Sequence, residues 1–155
     1  MRIPDTLLLA VCAFDDALSA ARVTTLIARG VCAGGMPTPD ECPIEDDPRG
    51  ASVGEVLNAL DLDTRMRRAR AVVVGQAHLS RETLLGERGA TGAVFEIATR
   101  ARQRGVPAYG VTARNDLDLF DARMLDLQVV LEASTARGLT AAGRQLAELS
   151  RAELD

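Results

Sequence analysis

Short apolar runs alternate along the chain with segments whose apolar residues recur at helical spacing. Residues 7–13 (LLLAVCA) and 71–75 (AVVVG) are almost continuously apolar, which is typical of strands that are buried on both faces. Residues 23–31 and 91–105 place apolar side chains three and four positions apart, as on one face of a helix. Because a strand that is buried on both sides needs helices on both sides, this alternation predicts an α/β domain. Its mostly parallel sheet would be flanked by helices in three layers.

Further elements continue the same pattern. Residues 106–112 and 127–131 are predicted strands, and residues 52–60 and 139–154 are predicted helices. Ser19 and Thr140 precede helical segments and are candidate N-caps, since a hydroxyl can accept a hydrogen bond from a free backbone N–H at the start of a helix. Four prolines between positions 37 and 48 predict an irregular segment there.

The size and charge of the chain narrow its class. With 155 residues, 47% of them hydrophobic, the chain is predicted to form a single domain, residues 1–155, with a proper core. The net charge is -4 and aromatic residues make up 3%. This composition disfavours nucleic acid as a partner, because such binding uses basic patches and stacking aromatics.

No apolar run approaches the roughly 20 residues of a membrane span. The apolar run at residues 7–14 is followed at once by Asp15 and Asp16, unlike the cleavage region of a secretory signal. We therefore expect a cytoplasmic protein with no membrane partner. The three cysteines are an odd number, which argues against a disulfide framework. Their spacing and the single histidine do not form a zinc motif, so no metal and no cofactor are expected.

All 18 basic residues are arginine, and the chain contains no lysine. This excludes the P-loop lysine that reaches a nucleotide phosphate. It also excludes a Schiff base between a lysine amine and a carbonyl substrate. Arginine can bind an anion as a fork, but it stays charged and cannot act as a nucleophilic amine.

Several segments carry a family resemblance, in order along nearly the whole chain. They read AVCAFDDALSA at residues 10–20, CPIEDDPRGA at 42–51, VLNALDLD at 56–63 and AVVVGQAHLSRETLLGE at 71–87. These segments resemble the motifs A-P-D-S-F-K-G, C-P-x-A-D-G-G-E-G-T, V-L-x-A-L-x-L-D and A-D-L-V-I-T-G-E-G-R-L-D-x-Q-T-x-x-G-K. All four motifs are typical of the two-domain bacterial glycerate kinases that make 2-phosphoglycerate. The resemblance implies a Rossmann-like domain made from that family's terminal segments, with its inserted second domain missing near residues 47–55.

The departures from the family motifs fall on the chemistry. Asp15 stands where the family has lysine and Cys12 where it has aspartate. Gln76 replaces its glutamate, and His78 its arginine. The family's closing lysine is replaced by Glu87, and two of its glycines by Asp47 and Pro48. Phosphoryl transfer depends on cations and backbone amides around the transferred group. The resemblance therefore implies a degenerate kinase that no longer phosphorylates glycerate.

Ligands of parallel sheets bind beyond the carboxyl ends of the strands, which here are residues 12–16, 75–86 and 112–116. His78 is a candidate proton carrier, because histidine exchanges protons near neutral pH; alternatively it is a surface residue without a role. Cys12 is a candidate nucleophile activated by His78, or a small apolar side chain in a buried strand. Asp15 and Asp16 are candidate acids or bases; alternatively they bind Mg²⁺ or cap the following helix.

A second group of polar residues is predicted to bind the substrate: Ser80, Arg81, Thr83, Thr112, Arg114 and Asn115. Arg81 could hold a carboxylate or a phosphate. Residues 80–83 could equally open a short helix, and Asn115 with the following aspartate could form a turn.

These observations predict a repurposed small-molecule enzyme with its site at the carboxyl ends of the strands. Acid–base chemistry without ATP would suit a lyase, an isomerase or a cyclase. One alternative is a non-catalytic domain that binds a ligand or a protein, with a homodimer as the expected partner because the lost domain exposes surface. A residual glycerate kinase is the other.

Overall fold

A parallel five-stranded sheet forms the centre of the molecule in the residues that the computed structural model describes, 4–46, 49–84 and 92–152. The strands are β1 (Leu7–Val11), β2 (Asp40–Glu41), β3 (Ala71–Leu79), β4 (Ala108–Asn115) and β5 (Val130–Glu132). They lie in the order β2-β1-β3-β4-β5, and each neighbouring pair is parallel. The predicted α/β fold is thus confirmed.

Helices cover both faces of the sheet. They are α1 (Ala20–Ala33), α2 (Val53–Ala59), α3 (Leu62–Arg67), α4 (Arg81–Leu84), α5 (Ala93–Arg104), α6 (Leu119–Leu125) and α7 (Ala136–Ala152). One core cluster joins α1 and α7 to alternate residues of β1 and β3, such as Leu9 and Val73. The other cluster joins α2, α3 and α5 to the intervening residues, such as Leu8 and Val72. Both faces of the central strands are therefore buried, as their apolar runs predict.

The structure confirms one of the two predicted N-caps and contradicts the other. Ser19 caps α1 as predicted, because its Oγ accepts a hydrogen bond from the backbone N–H of Arg22 at 3.2 Å. Thr140 does not cap α7, which already begins at Ala136. Thr140 lies inside the helix, and its hydroxyl donates to the carbonyl of Ala136 at 3.2 Å, a bond that serine and threonine commonly form in helix interiors.

The strands β3 and β4 are longer than their apolar runs. β3 continues through Leu79 and β4 through Asn115, and their last residues pair with each other, His78 opposite Arg114. His78 therefore lies within β3 and not beyond its end, where the apolar run at residues 71–75 had placed it. Polar side chains are tolerated here because cross-strand hydrogen bonding holds the backbone where the apolar run has ended. The helix α6 lies where no element was predicted.

The strand order creates a crevice between β1 and β3. The chain leaves β1 through α1 toward the edge strand β2, whereas β3 is followed by β4 on its other side. Where connections leave adjacent parallel strands in opposite directions, the loops diverge and open a crevice at the carboxyl ends. The candidate site is at this point. Of the helices described, none is both long and apolar enough to cross a membrane.

Candidate functional site

A cleft of about 400 Å³ lies at the crevice between β1 and β3. Its walls come from the ends of both strands, the start of α1, the extended segment after β2, and α4. The lining residues are Cys12, Ala13, Ser19, Ala20, Ile44, Glu45, Asp46, Gln76, Ala77, His78 and Thr83. The segment after β2 reaches the cleft because it continues alongside β1, with the Ile44 N–H donating to the carbonyl of Val11 at 3.0 Å.

Cys12 lines the cleft, but its surroundings do not activate it. The residue is 8% exposed, and its backbone N–H donates to the carbonyl of Gly75 at 2.9 Å. Burial, together with a smaller effect of the negative charge of Asp46, raises the pKa of the Cys12 thiol to about 12. A reactive thiolate needs a lowered pKa. The geometry therefore favours the second interpretation of Cys12, a small apolar side chain in a buried strand.

His78 forms an ion-pair network at the rim of the cleft. Its Nε2 lies 2.6 Å from Oδ2 of Asp116, and the Arg114 Nε lies 2.7 Å from the same oxygen. The hydrogen bond from His78, assisted by the charge of Arg114, lowers the pKa of Asp116, so this carboxylate is ionised and can only accept. Nε2 of His78 therefore carries the shared proton. Among the described residues, Nδ1 of His78 has no hydrogen-bond partner.

Gln76 forms part of the floor of the cleft and is 7% exposed. Its Nε2 donates to the backbone carbonyl of His78 at 2.8 Å. This bond fixes the orientation of the amide, because a flipped amide would place two acceptors against each other. The Oε1 atom is buried and has no hydrogen-bond partner among the residues described.

Asp15 and Asp16, the predicted acid–base pair, do not line the cleft. Oδ1 of Asp15 accepts hydrogen bonds from the backbone N–H groups of Ala17 and Leu18, at 2.8 and 2.7 Å. Asp15 thus stabilises the turn before α1. This role resembles the predicted helix cap, but the residue that caps α1 is Ser19. The side chain of Asp16 is exposed.

Ser80, Arg81 and Thr83 form the start of α4, as the short-helix alternative predicted. Ser80 and Thr83 bond reciprocally: the Ser80 N–H donates to Thr83 Oγ1 at 2.8 Å, and the Thr83 N–H donates to Ser80 Oγ at 3.3 Å. This is the arrangement of a capping box. Thr83 also lines the cleft. Arg81 is largely exposed and lies 3.6 Å from the buried carboxylate of Asp121.

Thr112 and Asn115 have local hydrogen-bonding roles on β4. Thr112 is fully buried, and its hydroxyl lies 3.1 Å from the carbonyls of Ala77 and Arg114. Asn115 accepts a bond from the N–H of Leu117 at 3.1 Å through its side-chain oxygen, which agrees with the turn alternative. The structure thus brings together Cys12, His78 and Thr83 at the cleft, whereas Thr112 and Asn115 do not line it.

The sequence interpretation missed three features of the cleft: the carboxylates of Glu45 and Asp46, the buried amide of Gln76, and the pairing of Asp116 with His78. The sequence predicted only an irregular segment at these positions, and the parallel run of the segment beside β1 brings the side chains of Glu45 and Asp46 to the cleft. Asp47, Pro48, Gly86 and Glu87, which carry part of the family resemblance, lie outside the described residues. Within the described ranges, no three potential metal ligands are grouped to hold an ion.

No protein family and no curated protein matches this sequence. Among solved structures, the chain is similar to "Crystal structure of putative glycerate kinase 2 from Salmonella typhimurium LT2" at 16% identity and a TM-score of 0.48. The match covers 66% of this chain and 27% of that one. The chain therefore spans about a quarter of the length of that kinase, and membership of the family remains a prediction.

Proposed function

We propose that the chain is a small-molecule enzyme that transfers protons at the cleft without ATP, as a lyase, an isomerase or a cyclase does. The observation that carries the proposal is the 2.6 Å contact between Nε2 of His78 and Oδ2 of Asp116, made by a histidine that lines the cleft. A carboxylate bonded to one ring nitrogen fixes the tautomer of the imidazole and stabilises its protonated form.

The proton chemistry follows from the tautomer. With its proton on Nε2, neutral His78 presents the lone pair of Nδ1 and can accept a proton from a C–H or O–H group of a bound substrate. The resulting imidazolium is stabilised by Asp116. The same proton then returns to another atom of the substrate in an isomerase, or goes to the leaving group in a lyase. One histidine thus serves as both base and acid, which replaces the predicted pairing of His78 with Asp15 or Asp16.

Arg114 has a positioning role in this proposal. Its Nε lies 2.7 Å from the carboxylate oxygen that His78 contacts, and its side chain is 73% exposed. Two donors on one oxygen keep Asp116 ionised, in agreement with its lowered pKa. We therefore place Arg114 behind Asp116 and not on the substrate, where the sequence had placed it.

The tautomer can be measured directly, because the chain contains 1 His. Long-range ¹H–¹⁵N spectra of the protein, with its single set of imidazole signals, should show the neutral form protonated on Nε2. Asp116→Asn should change the population of the two tautomers. A wild-type imidazole protonated on Nδ1 would leave no base facing the substrate, and the proposed mechanism would be rejected.

Catalysis itself is tested by incubating the protein with a set of small hydroxy acids, polyols and amines in deuterated water. NMR then detects deuterium entering a carbon position or conversion of a compound. We expect the wild type to act on at least one compound, and His78→Ala to lower that rate by roughly 10²–10⁴-fold. Gln145→Ala, at an exposed position of α7 that does not line the cleft, should match the wild type. A wild type that changes no compound, or a His78→Ala variant with full activity, rejects the proposal in favour of a binding domain.

A domain that binds a partner is the second candidate, and α6 supplies the observation that favours it. Leu119, Phe120 and Met124 are 79%, 61% and 45% exposed. Neighbouring apolar side chains at a protein surface are typical of an interaction site. A second copy of this chain is the partner that the sequence predicted, and the oligomeric state of the protein in solution tests it.

A further inference from the structure

We infer that Gln76 and Thr112 are positioning residues for His78. Their side chains hold the two peptide groups on either side of the His78 α-carbon and so direct the imidazole into the cleft. This inference rests on the proposed function, in which His78 carries the proton. It replaces the substrate-binding role that the sequence predicted for Thr112, which is not among the residues that line the cleft.

The last residues of β3 border the crevice. β1 pairs with β3 only as far as Gly75, whereas β3 continues to Leu79. Toward β4, the pairs within the described strands include Gln76 and His78 but not Ala77. The backbone around His78 is therefore held by fewer strand pairs than the first half of β3, and its polar groups need other partners.

Two buried side chains bind the backbone at this point. Thr112 is fully buried, and its hydroxyl, which lies 3.1 Å from the carbonyls of both Ala77 and Arg114, links the two strands. Gln76 is 7% exposed, and its Nε2 donates to the carbonyl of His78 at 2.8 Å. The Ala77 carbonyl belongs to the peptide group before the α-carbon of His78, and the His78 carbonyl to the one after it. A buried side chain therefore holds each of these peptide groups.

Holding both peptide groups fixes the direction of the His78 side chain. A peptide group is planar, so the backbone of a residue varies only through φ and ψ, and two held peptide groups leave neither angle free. The Cα–Cβ bond of His78 then points in one direction, and its Nε2 lies 2.6 Å from Oδ2 of Asp116. Asp116 is held separately, because its own N–H donates to the carbonyl of Leu79 at 2.8 Å. The contact on which the proposed proton transfer depends is thus supported from both sides.

The orientation of the Gln76 amide agrees with this role. Its Nε2 faces the carbonyl of His78, although its Oε1 is buried and has no hydrogen-bond partner among the residues described. A buried polar atom without a partner is unfavourable. An amide turned the other way would place two oxygens against each other and release the peptide group. The bond to the His78 backbone is therefore kept while the second polar atom of the amide stays unpaired.

The test removes each hydrogen bond and measures how well the His78 ring is ordered. Thr112→Val and Gln76→Met approximately keep the size of each side chain but cannot donate. ¹³C relaxation of the ring carbons measures ring motion without any substrate, and its assignment is unambiguous because the chain contains 1 His. We expect an order parameter of about 0.85 in the wild type and below about 0.6 in both variants.

Two further variants separate positioning from a general loss of stability. Thr24→Val removes another fully buried hydroxyl, which donates to the carbonyl of Ala20 at 2.6 Å within α1, and should leave the ring order of His78 unchanged. Thr112→Ser keeps the hydroxyl and should recover most of the order that Thr112→Val loses. Wild-type ring order in Thr112→Val or in Gln76→Met overturns the inference, and so does an equal loss of order in Thr24→Val. If one of the first two variants does not fold, the other decides.

Kinetics with a compound found in the deuterium experiment separate this inference from the proposed function. Thr112→Val should lower kcat by about 10- to 100-fold with little change in KM, since displacing a reacting group by about 1 Å costs up to about 100-fold in rate. Thr24→Val should keep the wild-type kcat. A wild-type kcat in Thr112→Val overturns the inference. A wild type that changes no compound rejects the proposed function, whereas the ring order still decides whether Gln76 and Thr112 position His78.

Discussion

The reactivity of Cys12 is the sharpest test of the chemistry at the cleft, because two interpretations of this residue predict opposite results. A thiol nucleophile activated by His78 would be present largely as thiolate. The structure instead buries the side chain and raises its pKa to about 12, compared with 9.0 for an unperturbed cysteine.

This difference in pKa predicts a difference in the rate of alkylation. At about pH 7, a thiol with a pKa of 9.0 is ionised to about one part in 100, and a thiol with a pKa of about 12 to about one part in 100,000. Alkylating reagents react with the thiolate. Cys12 should therefore react about 1,000-fold more slowly than an unperturbed thiol, before any further slowing from its limited access.

Alkylation by iodoacetamide, followed over time by mass spectrometry of proteolytic peptides, measures this rate. An unstructured peptide with one cysteine is the external reference. Exposed Cys32 should be modified first, whereas Cys42, a buried thiol whose pKa burial also raises, should stay unmodified like Cys12. Modification of Cys12 at or above the rate of the reference peptide would refute the reasoning and favour the interpretation of Cys12 as a nucleophile. The matching variant, Cys12→Ala, should keep the activity found in deuterated water within a few-fold.

Further predictions concern two helix glycines, the acid dependence of stability, the oligomeric state and nucleotide binding. Gly143→Ala should lower the free energy of unfolding by about 1–3 kcal/mol in denaturant titrations, because its Cβ would lie 2.1 Å from a main-chain oxygen of α1. Gly54→Ala, whose Cβ meets nothing closer than 3.8 Å, should instead raise it slightly. The hydrogen bonds from Arg65 lower the pKa of Asp40. The stability that they add is therefore present above about pH 4 and is lost as the pH falls further. In chemical unfolding experiments, the free energy of unfolding of Asp40→Asn should lack this part of the acid dependence. Light scattering should give a dimer for the wild type and a monomer for Phe120→Ser, and a monomeric wild type contradicts the homodimer. Mg-ATP should not raise the melting temperature, and a clear rise would support a residual kinase.

The sequence predicted the strands well where their residues are apolar. The runs at β1 and the first half of β3 leave no exposed face, so only a buried strand accommodates them. The second half of β3 carries Gln76 and His78, which break the run. Their strand conformation comes from pairing with β4, a long-range interaction that a local pattern does not contain. The same holds for α6, whose exposed apolar residues give no helical period facing a core.

The position of the site could be predicted from the sequence, but most of its contacts could not. The carboxyl ends of β1 and β3 follow from the order of the elements, and Cys12 and His78 were located there. Asp116 is 38 positions away from His78, and in the sequence an aspartate after an asparagine is most simply a turn. Its role follows only from the register of β3 and β4, which places His78 opposite Arg114.

The partners of the arginines near the sheet edge bear on whether an anion can bind there. Arg81 lies 3.6 Å from Asp121 and Arg114 lies 2.7 Å from Asp116, so both of the cations that the sequence offered for substrate binding already have carboxylate partners. With no lysine in the chain, no other type of basic side chain is available except the imidazole of His78. Glycerate and ATP are both anions, and the described residues that line the cleft include no arginine to bind either of them. The prediction that the chain does not transfer phosphate agrees with this arrangement of charges.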